Sequence, residues 1–222
     1  MAKTTAKQGS KASVDIREKI MASYKEHKLM HGEQPASVFA FAKSIKIDES
    51  HFFEHFSSFT DLESEIWEDM ITQVISAMEN DASYPEFSVR EKLLSFYYTM
   101  LEVLKSNRSY VLLELDDVKP GFREIPKLKK FKSAYLDYIQ GLVIEGNDTG
   151  EIPNRPFLSD QYKHGFWAQL VFLINFWKND NSKGFENTDA AVEKAVNLSL
   201  DLIEKGAIDS MIDFAKFLFQ NK

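Results

Sequence analysis

Cysteine is absent from this chain of 222 residues. Disulfide bridges, thiolate metal sites and cysteine nucleophiles are therefore excluded. The first residues are polar and do not resemble an apolar signal segment. The longest apolar run, 165–177, contains two polar side chains and is too short to span a bilayer. We therefore predict a protein without membrane insertion that resides in the cytoplasm, and its length is sufficient to bury a core without disulfides.

Strand patterns are also missing, since apolar and polar residues alternate in no segment, and no repeat of fixed length occurs. Apolar residues instead recur at intervals of three and four, the spacing of amphipathic helices. The sequence therefore predicts an all-α protein with about nine or ten helices. A loop is predicted at 145–156, where Gly, Asn, Asp and Pro are dense. The predicted helices are 15–30, 38–45, 49–56, 59–80, 88–105, 110–118, 125–145, 158–177, 188–205 and 211–219. Of these, 110–118 contains Val-Leu-Leu-Glu-Leu, which would suit a strand equally well.

The stretch from Ser37 to Met70 contains two short predicted helices joined by a tight turn and followed by a long helix. Ser37 is placed to cap the first of them. Ser58, with Asp61 three residues later, is a predicted capping box that opens the long helix. This succession has the spacing of a helix-turn-helix head.

The residues of this stretch resemble the head of the TetR-type bacterial regulators. Phe41-Ala42 corresponds to the Ile-Ala of the family's second helix, and residues 45–48 correspond to its Ala-Gly-Val-Ser turn. Residues 52–56 correspond to the Leu-Tyr-x-His-Phe ending of the recognition helix, and 58–62 to the Ser-Lys-x-x-Leu entry of the next helix. The match covers about residues 15–65. Lys46 stands where the family has the turn glycine, and Phe59 where it has lysine.

The resemblance implies a homodimeric, ligand-responsive repressor whose helix 49–56 enters the DNA major groove. It divides the chain into a head at 14–58 and a helical ligand-binding and dimerisation body at 59–222. Residues 1–13 carry three lysines and no acid, and they are predicted to be a disordered basic tail or, alternatively, a minor-groove arm. The DNA-binding candidates are Ser37, Lys43, Lys46, Ser50, His51 and His55.

The resemblance also places the pocket for an apolar small-molecule effector among the helices of the body. The dimer surface is expected on helices 158–177 and 188–205, which would form a four-helix bundle with their copies. Small residues at intervals of four, Ala191, Ala195 and Ser199, would allow close helix packing there. The effector-binding candidates are Phe96, Tyr97, Met100, Tyr135, Tyr138, His164, Phe166 and Trp167, with Gln169 as a second polar anchor beside His164.

Charge favours a second hypothesis. The chain has a net charge of −7, and the stretch 36–70 contains two basic residues, Lys43 and Lys46, against eight acidic ones. Because nonspecific DNA affinity comes from neutralising phosphates, this balance disfavours DNA binding. The alternative is a TetR-fold protein that has lost its DNA surface and binds an apolar or lipid-like molecule. The basic tail favours the first hypothesis, and both remain open.

One short motif is typical of an enzyme. His51, Glu54 and His55 match the H-x-x-E-H pattern of inverted zinc peptidases, in which two histidines on one helix face bind the metal. The aromatic-His-Phe ending of the head already accounts for His55. A Gly-rich phosphate loop and a Gly-x-Ser-x-Gly elbow are both missing. We therefore predict no enzymatic activity, no metal site and no cofactor.

Overall fold

The computed structural model describes residues 2–116, 125–155 and 159–204, and it describes side chains at 16–116, 125–155 and 161–204. These residues form nine α-helices and three short 3₁₀ turns, at Tyr84–Glu86, Pro126–Leu128 and Lys183–Phe185, with no strand among them. The all-α prediction is confirmed. The helices are α1 Ala2–His31, α2 Val38–Ser44, α3 Glu49–His55, α4 Phe59–Glu79, α5 Val89–Ser106, α6 Arg108–Leu115, α7 Lys129–Thr149, α8 Ser159–Asn179 and α9 Glu186–Glu204.

The chain divides into two compact units. Unit 1 comprises Met1–Asp69 and Leu104–Phe131, and unit 2 comprises Met70–Val103 and Lys132–Lys222. The two short helices and the turn between them therefore belong to unit 1, and all the candidate effector residues belong to unit 2. The division of the chain into tail, head and body at residues 13 and 58 stays a prediction.

Aromatic rings fill the core of unit 1. Phe41 and Phe52 are almost fully buried and lie edge to face, with ring centroids 6.4 Å apart. Phe59 stacks on the buried Tyr24 at 5.3 Å and lies 5.5 Å from Phe52. Edge-to-face and stacked pairs of this kind add to the stabilisation that burial of the rings supplies. Phe59, which departs from the family pattern, thus packs with the aromatic core of the head.

The predicted helix caps of unit 1 are present. Ser37 Oγ accepts a hydrogen bond from the Ala40 amide at 3.1 Å, and Ser58 Oγ accepts one from the Asp61 amide at 3.1 Å. The Asp61 carboxylate accepts a return bond from the amide of Ser57, one residue before the predicted partner, at 2.9 Å. These side chains satisfy amide groups that the first turn of each helix leaves unpaired. They fix where α2 and α4 begin.

Two predicted helix boundaries are wrong. α1 begins at Ala2 and not at Asp15. Residues 2–14 contain no proline and include several good helix formers, so the helix extends through them. α7 continues to Thr149, so the loop predicted from residue 145 begins too early. The helix stops where Gly150 adopts a φ of +82°, a left-handed conformation that glycine accepts without strain. The predicted helix at 211–219 lies outside the described residues.

Helices α5, α7, α8 and α9 bury apolar residues at helical spacing to form the core of unit 2. On α9 the buried positions recur at intervals of four and three, from Val192 to Ile203. The connection between α8 and α9 is held by Asp180, whose carboxylate accepts bonds from the Thr188 hydroxyl at 2.6 Å and the Ser182 amide at 2.8 Å. Hydrogen bonds from the Thr188 hydroxyl and from the backbone amides of Ser182 and Thr188 lower the pKa of Asp180 to about 2. The Asp180 carboxylate is therefore ionised at neutral pH.

Candidate functional site

The turn between α2 and α3 is closed by a backbone bond from the Ile47 amide to the Ala42 carbonyl at 3.0 Å. Lys46 in this turn has a φ of +58°, which is the left-handed conformation that glycine adopts most readily. The geometry explains why the family pattern has glycine at this position. A lysine adopts the same conformation at a cost of roughly 1–2 kcal/mol. The helix-turn-helix path is thus preserved despite the substitution.

The six DNA-binding candidates fall into two groups. Ser37, Lys43, Lys46 and Ser50 are exposed, so they are available to a ligand. His51 and His55 are half-buried, and the Nδ1 atom of His51 is buried without a hydrogen-bond partner among the described residues. Sequence reasoning missed two exposed aromatic residues, Phe39 on α2 and Phe53 on α3, which are 60% and 53% exposed. Both residues lie outside the buried stripe of their helix, and this position would have indicated that their side chains are exposed.

Three acidic residues of the stretch 36–70, Asp61, Glu63 and Glu65, are paired with cations from distant parts of unit 1. Asp61 lies 3.1 Å from Lys130. Glu65 contacts Lys130 and lies 2.5 Å from Arg17. The Ser57 amide and Lys130 lower the pKa of Asp61 against the opposing effect of burial. Burial opposes ionisation of Glu65 as well, and the two cations outweigh it and lower its pKa.

The third acid, Glu63, accepts a hydrogen bond from the Tyr24 hydroxyl at 2.7 Å and lies 3.5 Å from Lys28. The basic partners of these acids all lie outside residues 36–70. A charge count over that stretch therefore overstates the negative charge of the head surface. Asp48, Glu49 and Glu54 are the acidic residues exposed on or beside α3.

A buried ionic cluster connects α1, α6 and the 3₁₀ turn at Pro126–Leu128. The Glu114 carboxylate is fully buried and lies 2.9 Å from Lys28 and 2.5 Å from Lys127. Lys127 also donates to the Glu114 carbonyl at 2.7 Å. Burial and the charge of Glu114 raise the pKa of the neighbouring Tyr110. Sequence reasoning missed this cluster, although a glutamate inside the apolar run of α6 was a signal.

In unit 2, two buried tyrosines lie at the centre of the effector candidates. The hydroxyls of Tyr97 and Tyr135 are 2.8 Å apart, and Tyr135 donates to the Phe166 carbonyl at 3.0 Å. The side-chain amide of Gln169 lies 3.2 Å from the Tyr97 hydroxyl. Burial raises the pKa of both tyrosines, so both hydroxyls are protonated at neutral pH.

Further candidates surround this pair. Phe96 lies 5.3 Å from Tyr135 and stacks on Tyr138 at 4.8 Å, and Trp167 lies 5.9 Å from Tyr135, all between ring centroids. Met100 is buried one turn further along α5. His164 is exposed and does not join the group, because the buried face of α8 runs through Tyr162, Phe166 and Gln169. The structure thus brings together most of the predicted effector residues.

The comparison with family models decides the family. Residues 92–218, more than half of the chain, match the model described as "Tetracyclin repressor-like, C-terminal domain". The chain belongs to the TetR family. The resemblance seen in the head is thereby confirmed from the other end of the sequence. No curated protein matches this TetR-family chain.

Solved structures with the same fold include other members of the TetR family. A protein assigned to the TetR-family transcriptional regulators, from Syntrophomonas wolfei, has a TM-score of 0.61 and 17% identity over 87% of this chain and 95% of that one. The transcriptional regulator FadR from Bacillus subtilis, in complex with stearoyl-CoA, has a TM-score of 0.60 and 16% identity over 82% and 97%. The fatty acid degradation regulator FadR from Bacillus halodurans has 0.59 and 16% over the same shares. The family is one of transcriptional regulators.

The TetR-family chain exposes apolar side chains on the two helices predicted to form the dimer. Phe172 on α8 is 52% exposed, and Leu198 on α9 is 61% exposed. An open cleft of about 550 Å³ adjoins Phe172 at the end of α8. None of the predicted effector residues lines it. The cleft residues are Phe172, Asn175, Phe176, Asn179, Asp180, Asn181, Ser182 and Asn187.

The described part of the TetR-family chain contains neither a candidate metal group nor a candidate membrane span. Within the described ranges, no three side chains of His, Asp or Glu are grouped so that they could hold a metal ion. His51, Glu54 and His55 thus form no such group. Among the described helices, none combines the length and the apolar character needed to cross a membrane.

Proposed function

We propose that the protein is a homodimeric, ligand-responsive transcriptional repressor that binds DNA through α3. The pairing of Asp61, Glu63 and Glu65 with cations of unit 1 carries this proposal, because it removes the main objection raised by the sequence. These carboxylates are engaged within the unit and do not act as free negative charges toward phosphates. What remains exposed on α2, the turn and α3 includes Lys43, Lys46 and Ser50.

In the proposed complex α3 lies in the major groove, as in other helix-turn-helix proteins. The hydroxyl of Ser50 is placed to bond to base edges, and His51 is the second candidate on the same helix. In this complex Lys43 and Lys46 contact phosphates. Ser37, at the start of α2, lies near the DNA backbone. Base contacts would supply specificity, and the lysines would supply affinity that depends on salt.

The effector in this proposal is an apolar small molecule that binds in unit 2. The fold similarity to FadR from Bacillus subtilis in complex with stearoyl-CoA supports an effector with an apolar body. Tyr97, Tyr135, Phe96 and Trp167 provide aromatic surface, and Gln169 provides a buried polar group. Such a combination of apolar walls and a few polar groups is typical of small-molecule sites.

The decisive experiment is selection of fragments from the source genome by the purified protein over a range of salt concentrations. We expect enrichment of one pseudo-palindromic site, with affinity that falls steeply as salt rises. Absence of enrichment at low salt, from a protein that is folded and dimeric, would refute the repressor proposal.

The double variant Lys43→Gln/Lys46→Gln should bind the selected site roughly tenfold more weakly or worse. Loss of two phosphate contacts should also reduce the slope of log K against log salt by about 2, at about 0.9 per phosphate. Fluorescence anisotropy with the selected duplex measures both quantities. Lys183→Gln, which removes one positive charge on the exposed connection between α8 and α9, is the control and should change neither. An unchanged slope in the double variant would exclude these lysines from the interface.

The homodimer proposal predicts that Phe172→Glu/Leu198→Glu is monomeric. Burying two carboxylates in an apolar helix interface is strongly unfavourable. Light scattering after size exclusion should show the wild type at twice the chain mass of 25.6 kDa and the variant at that mass. Ile144→Glu, on α7 and with a similar exposure of 53%, should stay dimeric. A wild type that is monomeric at micromolar concentration would contradict the assignment.

A second candidate function is supported by the acids that stay exposed. Asp48, Glu49 and Glu54 lie on or beside α3, where a DNA complex would bring them close to phosphates. They favour a TetR-fold protein that binds an apolar or lipid-like molecule and no longer binds DNA. In that case genome selection gives no site, and a molecule that copurifies with the folded dimer becomes the object to identify.

A further inference from the structure

The oxygen–oxygen contacts around Tyr97 and Tyr135 outnumber the hydroxyl protons available to them when the Gln169 oxygen faces Tyr97. Each hydroxyl has one proton to donate. Tyr135 donates its proton to the Phe166 carbonyl, a group that can only accept. The 2.8 Å contact between the two hydroxyls therefore uses the proton of Tyr97. No hydroxyl proton is left for the 3.2 Å contact between Tyr97 and the Gln169 amide.

One orientation of the Gln169 amide gives every contact a proton. If the amide nitrogen faces Tyr97, Gln169 donates to Tyr97, Tyr97 donates to Tyr135, and Tyr135 donates to the Phe166 carbonyl. The opposite orientation leaves one pair of oxygens, 2.8, 3.0 or 3.2 Å apart, with no proton between them. The oxygen and nitrogen of an amide are assigned from such networks. The nitrogen of Gln169 therefore faces Tyr97.

With the oxygen facing Tyr97, the Nε2 atom of Gln169 is buried and has no acceptor among the described residues. Gln169 is 9% exposed, so water does not readily serve this end of the amide from the surface. In the exchanged orientation Oε1 takes this position, and it can only accept. A buried acceptor without a partner costs about 1–3 kcal/mol.

We infer that the effector carries an uncharged hydrogen-bond donor, such as an alcohol, phenol or amide N–H group, which bonds to Gln169 Oε1. This inference rests on the proposed effector site in unit 2 and names the chemical class of its ligand. The surrounding rings of Tyr135, Trp167 and Phe96 suit an apolar body next to that donor. The thioester group of an acyl thioester offers acceptors alone and would leave Oε1 unpaired.

The test uses three probes: 1-decanol, 1-methoxydecane and methyl decanoate. The first two differ in the presence of the donor, and the third carries acceptors alone. Binding to the full-length dimer is followed by intrinsic tryptophan fluorescence and by calorimetry. We expect 1-decanol to bind at least about fivefold more tightly than the ether. In Gln169→Met, which keeps the length of the side chain and removes the acceptor, the ratio should fall to about one. Gln161→Met, the same change at an exposed position of α8, should keep the preference of the wild type.

Each contrary outcome has a defined meaning. Equal affinities of the two probes in the wild type, or a preference that survives in Gln169→Met, would overturn the assignment of a donor-bearing effector while the site itself stands. Tighter binding of methyl decanoate than of 1-decanol would show that Gln169 offers its N–H group to the ligand, and would overturn the orientation inferred above. Failure of all three probes to bind would overturn the effector site, and this inference with it.

Discussion

Glu114→Ala is expected to destabilise unit 1 by about 3 kcal/mol, since removing one partner of a buried ion pair leaves the other charge uncompensated. The Glu114 carboxylate is fully buried between Lys28 and Lys127, whose side chains are only 14% and 21% exposed. Solvent therefore does little to replace the lost charge. Lys28 keeps its contact with Glu63, and Lys127 keeps the backbone carbonyl of residue 114, which limits the loss.

The charged state of Lys28 at neutral pH follows from the direction of its pKa shift. Burial lowers the pKa of Lys28, but its contacts with Glu114 and Glu63 outweigh burial and raise it above the ordinary value. A raised lysine pKa contributes stability that is present below the unfolded pKa and is lost as pH rises through the folded pKa. The contribution is therefore complete at pH 7.

Urea unfolding at pH 7, followed by circular dichroism, measures the effect of Glu114→Ala. Glu114→Gln keeps the shape and an accepting oxygen, so it should lose less stability than the alanine variant. Glu26→Ala, an exposed acid on α1, is the matched control and should lie within about 0.5 kcal/mol of the wild type. A loss below about 1 kcal/mol for Glu114→Ala would mean that both lysines reach water when the carboxylate is removed.

Local rules predicted the features of this chain that depend on neighbouring residues. The caps at Ser37 and Ser58 and the helical spacing of the apolar residues involve positions three or four apart, and they place α2, α3 and α4 within a residue or two of their observed bounds. The end of α7 was missed because Gly146 reads as a break, whereas the helix accepts it and stops at Gly150. A glycine inside a helix costs only about 1 kcal/mol, which packing overrides.

Charge pairing could not be read from the sequence in the same way. Lys130 lies 69 residues from Asp61 and 65 from Glu65, and Arg17 lies 48 from Glu65. A count within one window sees the acids and not their partners, so it predicted a more negative head surface than the structure has. The effector candidates show the same limit, because periodicity placed Tyr97 and Tyr135 on buried faces but could not reveal their shared hydrogen bonds.

Phe52→Ala is expected to unfold the helix-turn-helix and abolish DNA binding. Phe52 is fully buried, and its ring lies within 6.4 Å of Phe41, Phe56 and Phe59, measured between centroids. Truncating a buried phenylalanine typically costs about 3–5 kcal/mol, through lost transfer free energy and the cavity left behind. That loss is of the order of the whole stability of a small domain.

The adjacent Phe53 provides the matched control, because it is the same residue on the same helix with 53% of its side chain exposed. The Phe53 ring contacts the Phe52 ring edge to face, with centroids 5.5 Å apart, so Phe53→Ala should cost about 1 kcal/mol, well below the loss in Phe52→Ala. Urea unfolding and binding to the selected duplex, measured on both variants, separate the two effects. Equal destabilisation by the two substitutions would contradict the assignment of Phe52 to the core and Phe53 to the surface of α3. Retention of DNA binding by Phe52→Ala would show that this core is not what holds α3 in place for the groove.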